Sequence, residues 1–153
     1  MVDVVSKSKR TMMMAGIRGK NTRPELAVRK FLHARGFRYR LHSNQLVGSP
    51  DIVLARYKVA IFVHGCFWHR HIGCRYATTP ATRPEFWLEK LEKNRARDQR
   101  AKIELIRAGW RVAVVWECSL RKGPNSALSA LVEFIQSERV TQEFSSNQSP
   151  STE

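Results

Sequence analysis

Five consecutive apolar residues, Val59-Ala-Ile-Phe-Val63, lead without a break into His64-Gly-Cys66-Phe-Trp-His69-Arg-His71-Ile-Gly-Cys74. A strand with no polar alternation has to be covered on both faces, so it belongs in the middle of a sheet rather than at its edge. The strand runs into a loop crowded with soft metal ligands. The third and last cysteine, Cys118, comes just after a second buried run, Arg111-Val-Ala-Val-Val-Trp116. Ends of neighbouring strands lie side by side, so Cys118 can join Cys66, Cys74 and one histidine in a Cys3His tetrahedron. Thiolate and imidazole are the ligands zinc prefers, and a closed set of four is its structural form. Spacing alone does not fix which histidine ligates; His71 is favoured, which leaves His64 and His69 for other work. Three buried free thiols beside surface histidines are the plain alternative, but they leave the crowding in one loop unexplained.

The remaining elements group around these strands. Asn21 or Thr22 can cap a helix with Pro24 in its first turn and Glu25 behind it, an apolar side at Leu26, Val28, Phe31 and Leu32, and Gly36 as its stop. Phe37 to His42 alternates at the period of a half-buried strand, Gly48-Ser49-Pro50 is a turn, and Asp51 to Ala55 is a further strand. Thr82-Arg83-Pro84-Glu85 has the form of a capping box opening a long helix to about Ala108. Asn125 to Glu138 is amphipathic, with Leu128, Leu131, Phe134 and Ile135 at helical spacing. This order predicts one α/β domain with a central mixed sheet flanked by helices, over residues 22–138. Residues 1–21 read as a basic arm, and residues 139–153, rich in Ser and Gln, as a disordered tail.

The charge balance narrows the partner. Lys and Arg number 27 against 13 acids, a net +14, and the first forty residues hold eleven of those cations against Asp3 and Glu25. A domain so basic is matched to a polyanion, and nucleic acid is the commonest. A membrane is disfavoured because the longest apolar run is far too short to span one. No secretory signal is visible, and an odd cysteine count without one suits reduced thiols in a cytoplasm.

Pro50-Asp51 opens one strand and the next ends at His64. Metal-assisted nucleases place a carboxylate at such a strand start to hold Mg²⁺, and they need a base for the attacking water. The adjacent strand offers no acid and only Lys58 at its foot, so His64 and His69 are the available substitutes. On the long helix, Leu88, Leu91, Arg95, Asp98, Lys102 and Leu105 form one stripe. Spacing favours pairing Asp98 with Arg95 or Lys102 on its own helix; the other partner is a histidine that Asp98 would orient. Phe67, Trp68, Phe86 and Trp87 lie beside the basic surface, where rings on a rigid loop can wedge between base pairs. Trp68 and Trp87 are the stronger candidates, and Phe86 is expected to pack on the core.

The string Phe62-Val-His64-Gly-Cys-Phe-Trp-His69, Cys74, Ala81-Thr-Arg-Pro-Glu-Phe-Trp-Leu-Glu-Lys90, Asn94, Arg97-Asp98, Gly109-Trp-Arg-Val and Val115-Trp-Glu-Cys118 resembles the very short patch repair (Vsr) endonucleases over roughly residues 6–121. The resemblance implies a restriction-endonuclease-like core and a bacterial, cytoplasmic, monomeric enzyme. It would nick DNA 5′ to the T of a T:G mismatch left by deaminated 5-methylcytosine. It further implies that Asp51, with the Val63 carbonyl, carries Mg²⁺, that His69 is the general base paired to Asp98, that His64 acts on the phosphate side, and that Glu25 lies near the metal. Cys66, His71, Cys74 and Cys118 would hold zinc. Phe67, Trp68 and Trp87 would enter from the major groove and Met14 from the minor groove, with Lys90 and Asn94 facing the bases. Implied partners are a mismatch-repair matchmaker and, functionally, a cytosine-5 DNA methyltransferase. A non-catalytic zinc-containing DNA-binding module and a restriction endonuclease are the rival readings.

Overall fold

The computed structural model describes residues 21–146, so the basic arm up to Lys20, Met14 included, lies outside the described residues. Helix α1 (Arg23–Ala34) begins at Thr22, whose hydroxyl accepts from the Glu25 amide. Then come β1 (Arg40–Leu41), β2 (Ile52–Leu54), a 3-10 turn (Ala55–Tyr57), β3 (Val59–His64), α2 (Pro84–Arg107), β4 (Arg111–Trp116), α3 (Glu117–Lys122), α4 (Pro124–Ile135) and β5 (Thr141–Phe144). The strands form a single mixed sheet in the order β1-β2-β3-β4-β5. β1, β2 and β3 pair antiparallel, whereas β3, β4 and β5 pair parallel. β3 and β4 occupy the centre, as their unbroken apolar runs require.

Alternation along β3 sorts the core into two layers. Val59 and Ile61 pack with Val28 and Leu32 of α1 and with Leu128, Leu131, Phe134 and Ile135 of α4. Ala60 and Phe62 face the other way, toward Leu105 of α2 and the three cysteines. Arg111 fastens the rear of the sheet. Its guanidinium donates to the carbonyls of Phe134, Ile135 and Ser137 at the end of α4, and to Tyr57 in the turn before β3.

The structure departs from the sequence reading in four places. The domain does not close at residue 138: β5 adds a parallel strand where a disordered tail was expected. The strand carries only one apolar anchor, Phe144, which is buried against Phe134, and its remaining Thr-Gln-Glu residues hide the pattern. α3 is six residues long, too short to show a helical period. Thr82 does not cap α2; Arg83 does so in a left-handed conformation, with no side-chain cap bond. The Phe37–His42 alternation yields a paired strand only at Arg40–Leu41.

Candidate active site and metal centre

Asp51 lies in the turn immediately before β2, and the turn is held close to the sheet by Gly48. A Cβ on Gly48 would lie 2.6 Å from Cβ of Ala101 in α2, and its φ of +77° is one that side-chain-bearing residues rarely adopt. From there the Asp51 carboxylate reaches β3 and accepts from the Val63 amide at 2.7 Å. Burial pushes the Asp51 carboxyl up to about 6; the Val63 N–H opposes the rise and the charge of Glu25 adds to it. Glu25 is itself buried and stands in one cluster with Asp51 and His42, their ligating atoms all within 4.8 Å of one another. His42 Nε2 lies 3.0 and 2.9 Å from the two Glu25 oxygens, and Arg29 donates to the same carboxylate.

β3 ends in His64, a ring so buried that its ionisation is strongly disfavoured, with His69 and His71 nearby adding to the effect. Its Nδ1 has no hydrogen-bond partner. The His69 ring stacks on it, with centroids 3.8 Å apart and planes 4° from parallel. His69 Nδ1 donates to Asp98 Oδ2 across 2.6 Å. A carboxylate can only accept, so a proton sits on Nδ1, the tautomer that leaves Nε2 as the position for a lone pair. Asp98 therefore pairs with a histidine from another element, and not with Arg95 or Lys102 of its own helix.

The register of β3 against β4 pairs His64 with Trp116. Two residues beyond each member of that pair come Cys66 and Cys118, which is why a loop and a distant helix start meet. The ligating atoms of Cys66, His71, Cys74 and Cys118 all lie within 4.8 Å of one another. The thiols are buried and unpaired by disulfides. A tetrahedron with zinc–sulfur bonds of ~2.3 Å has edges of roughly 3.8 Å, so the donor set and its spacing are consistent with a structural zinc site. Burial pushes the Cys66 thiol up. Burial acts the same way on Cys118, but hydrogen bonds from Ser146 and the neighbouring cysteines outweigh it and hold that thiol below its usual value. The His71 ring stacks on Trp116 at 4.0 Å, which tethers the loop to β4.

The same loop carries Phe67 and Trp68. They form an aromatic group with Trp87 of α2, centroids 5.0 to 5.8 Å apart. Lys90 Nζ stands 5.6 Å from the centre of the Trp87 ring, and Asn94 donates to the Trp68 carbonyl at 3.1 Å. Phe86, expected on the core, is 45% exposed, whereas Trp68 is only 7% exposed. Phe86 lies in the first turn of α2, ahead of the helix's buried positions Leu91, Ala101 and Leu105.

A cleft of about 700 Å³ joins these parts. Asp51, Glu25, Val63, His64, His69 and Asp98 line it together with Phe67, Trp68 and Asn94, and Arg23 and Arg97 add cations. Trp87 and Lys90 adjoin it through the ring group. Sequence reasoning missed Arg29 and His42, since one sits on a helix among other cations and the other closes an ordinary alternating run. Among the described residues, no helix is long and apolar enough to cross a membrane.

Comparison with known proteins adds an independent line. Residues 2–75 match the family described as DNA mismatch endonuclease Vsr. A type II nicking enzyme, V.XorIIP of Xanthomonas oryzae pv. oryzae, is 52% identical over 120 residues, spanning 78% of this chain and 88% of that protein. The chain belongs to the Vsr endonuclease family. The Vsr protein of Escherichia coli, a DNA mismatch endonuclease, is 42% identical over 89% of this chain and 86% of its own length. The nicking enzyme V.NmeAIP of Neisseria meningitidis is 48% identical over 79% and 86%. In this Vsr-family chain, the identity extends well past the 2–75 segment, across the lengths that hold the ring group, Asp98 and Cys118.

Proposed function

We propose that this Vsr-family endonuclease nicks one strand of duplex DNA 5′ to the thymine of a T:G mismatch, the lesion left when 5-methylcytosine is deaminated. The observation that carries the reading is the shared cleft. Asp51 and the His69–Asp98 pair line a single space, beside rings that can take the place of a stacked base.

Asp51 and the Val63 carbonyl are the groups that would hold Mg²⁺. When bound there, the ion supplies charge stabilisation for the phosphate and the departing 3′ oxygen. His69 takes a proton from the attacking water at Nε2. Asp98 keeps the ring in that tautomer and balances the positive charge as it forms. His64, kept neutral by burial, can offer one N–H to a phosphate oxygen without placing a charge in the interior. Glu25 adds a second carboxylate beside Asp51.

Phe67, Trp68 and Trp87 are proposed to enter the duplex from the major groove and Met14 of the arm from the minor groove. Unstacking costs least at a mispair, so a wedge also senses one. Lys90 and Asn94 would then meet base edges. Asn94 has one amide proton engaged with Trp68 O and retains the rest of its amide for that contact. The zinc set would stiffen the loop that delivers the rings. A mismatch-repair matchmaker and a cytosine-5 methyltransferase are the proposed functional partners in a bacterial cytoplasm.

The test is a nicking assay on matched and T:G duplexes with Mg²⁺ present or chelated. A single cut in the T strand of the mismatched duplex, lost with chelator and in Asp51→Ala while DNA binding persists, is expected. Cleavage of both strands in paired DNA would indicate a restriction enzyme, and binding without any cut a non-catalytic zinc module; either result overturns the proposal.

A further inference from the structure

One cluster in the cleft wall contains two side chains, Arg29 and His42, that the proposed reaction leaves without a role. Both converge on Glu25. That residue is 1% exposed, and a carboxylate so deeply buried is expensive unless its charge is matched. Arg29, one helical turn on, donates to Oε2 and also to the Asn21 side chain. Its Nε is buried without a partner, so this guanidinium gives up part of its own bonding capacity to stand where it does. His42 reaches both Glu25 oxygens through Nε2, while its backbone amide donates to the Asp51 carbonyl at 3.0 Å. One residue thus ties Glu25 to Asp51, and it does so from a left-handed backbone, φ +49°, a conformation uncommon for anything but glycine.

We infer that Arg29 and His42 are positioning residues that hold the Glu25 carboxylate in one orientation against Asp51, so that the two acids act together on a divalent cation. The inference rests on the proposed Mg²⁺ role of Asp51 but makes a separate claim. Asp51 alone would be a weak site for a hard cation, which seeks several oxygens. A second carboxylate helps only if it cannot turn away. Arg29 fixes it from the helix side and His42 from the strand side. The Arg29 bond to Asn21 adds a mechanical link to the residue where the basic arm joins the domain.

The experiment uses Mn²⁺ as a probe, with binding followed by the electron paramagnetic resonance of free Mn²⁺ in zinc-loaded, full-length protein. Arg29→Met and His42→Leu should each weaken Mn²⁺ binding about tenfold or more, and Glu25→Gln should do the same. In the Glu25→Gln background, adding Arg29→Met or His42→Leu should change Mn²⁺ affinity by less than about twofold, because both residues act through Glu25. Metal-free binding to duplex DNA should stay within about twofold of the parent. Mn²⁺ affinity unchanged in the single variants, or full additivity with Glu25→Gln, would overturn the inference. If Arg29→Met does not fold, the His42→Leu cycle decides alone. Asp51→Asn separates the two claims: Mn²⁺ bound at full strength in Asp51→Asn refutes the metal role of Asp51 itself, whatever Arg29 and His42 do.

Discussion

Asp51→Asn should make the metal-free protein more stable while removing its activity. Asparagine is nearly isosteric and its Oδ1 can still accept from the Val63 amide, so the change deletes a charge and little else. In the fold the Asp51 carboxyl is raised from 3.8 to about 6. A carboxyl that holds its proton more tightly folded than unfolded costs nothing below the unfolded value. It becomes a full liability once pH has risen through the folded one. The shift of roughly two units corresponds to ~3 kcal/mol at pH 8, falling to ~1.5 kcal/mol near pH 5. For a domain of this size that is on the order of 10 °C in Tm at the higher pH. Paired thermal melts of the two zinc-loaded proteins in chelator-free, Mg²⁺-free buffer, at pH 8 and pH 5, measure the gap directly. Mg²⁺ should then narrow it by stabilising the parent alone. A variant no more stable than the parent at pH 8, or a gap that widens as pH falls, would refute the argument that burial strains this carboxylate.

Other perturbations test other parts. Asp98→Asn removes the charge that balances a protonated His69 and lets an amide NH2 turn toward Nδ1, favouring the wrong tautomer, so single-turnover nicking should drop by ~10² to 10⁴-fold with DNA affinity retained; a pH–rate profile should show the missing group. Cys118→Ser should abolish stoichiometric zinc in metal analysis and lower Tm by on the order of 10 °C or more. It should also flatten the near-ultraviolet dichroism of the tryptophans on and beside the loop. Arg111→Met leaves several carbonyls without their charged donor and should cost ~3 to 5 kcal/mol in urea unfolding, with nicking by the folded fraction unaffected.

The parts of the fold legible in the sequence were those with a strong period or an unbroken apolar run. β3 and β4 announce themselves because burial on both faces permits no polar residue, and α1 because Thr22, Pro24 and Glu25 carry its start. β5 was illegible since an edge strand needs one buried side, and in four residues that leaves a single anchor, Phe144. The metal cluster could be read from residue type, as few other settings gather three cysteines with histidines. The His69–Asp98 pair could not be read from spacing, because the partner lies 29 positions away and the helix offers nearer cations. His42 gave no sign at all. Its importance depends on a backbone turn that brings it over Glu25, and turns of that kind leave no periodic trace.

Helix α2 also acts as a ruler. Trp87 in its first turn and Asp98 near its middle are eleven residues apart, about three turns, so they fall on one side of the helix some ~16 Å from each other. Inserting a single residue between them would swing the ring ~100° around the axis, whereas three or four would restore its bearing at a longer reach. Under the proposed mechanism, a lineage that shifted its cut relative to the Trp87 ring would have to lengthen or shorten this helix by whole turns.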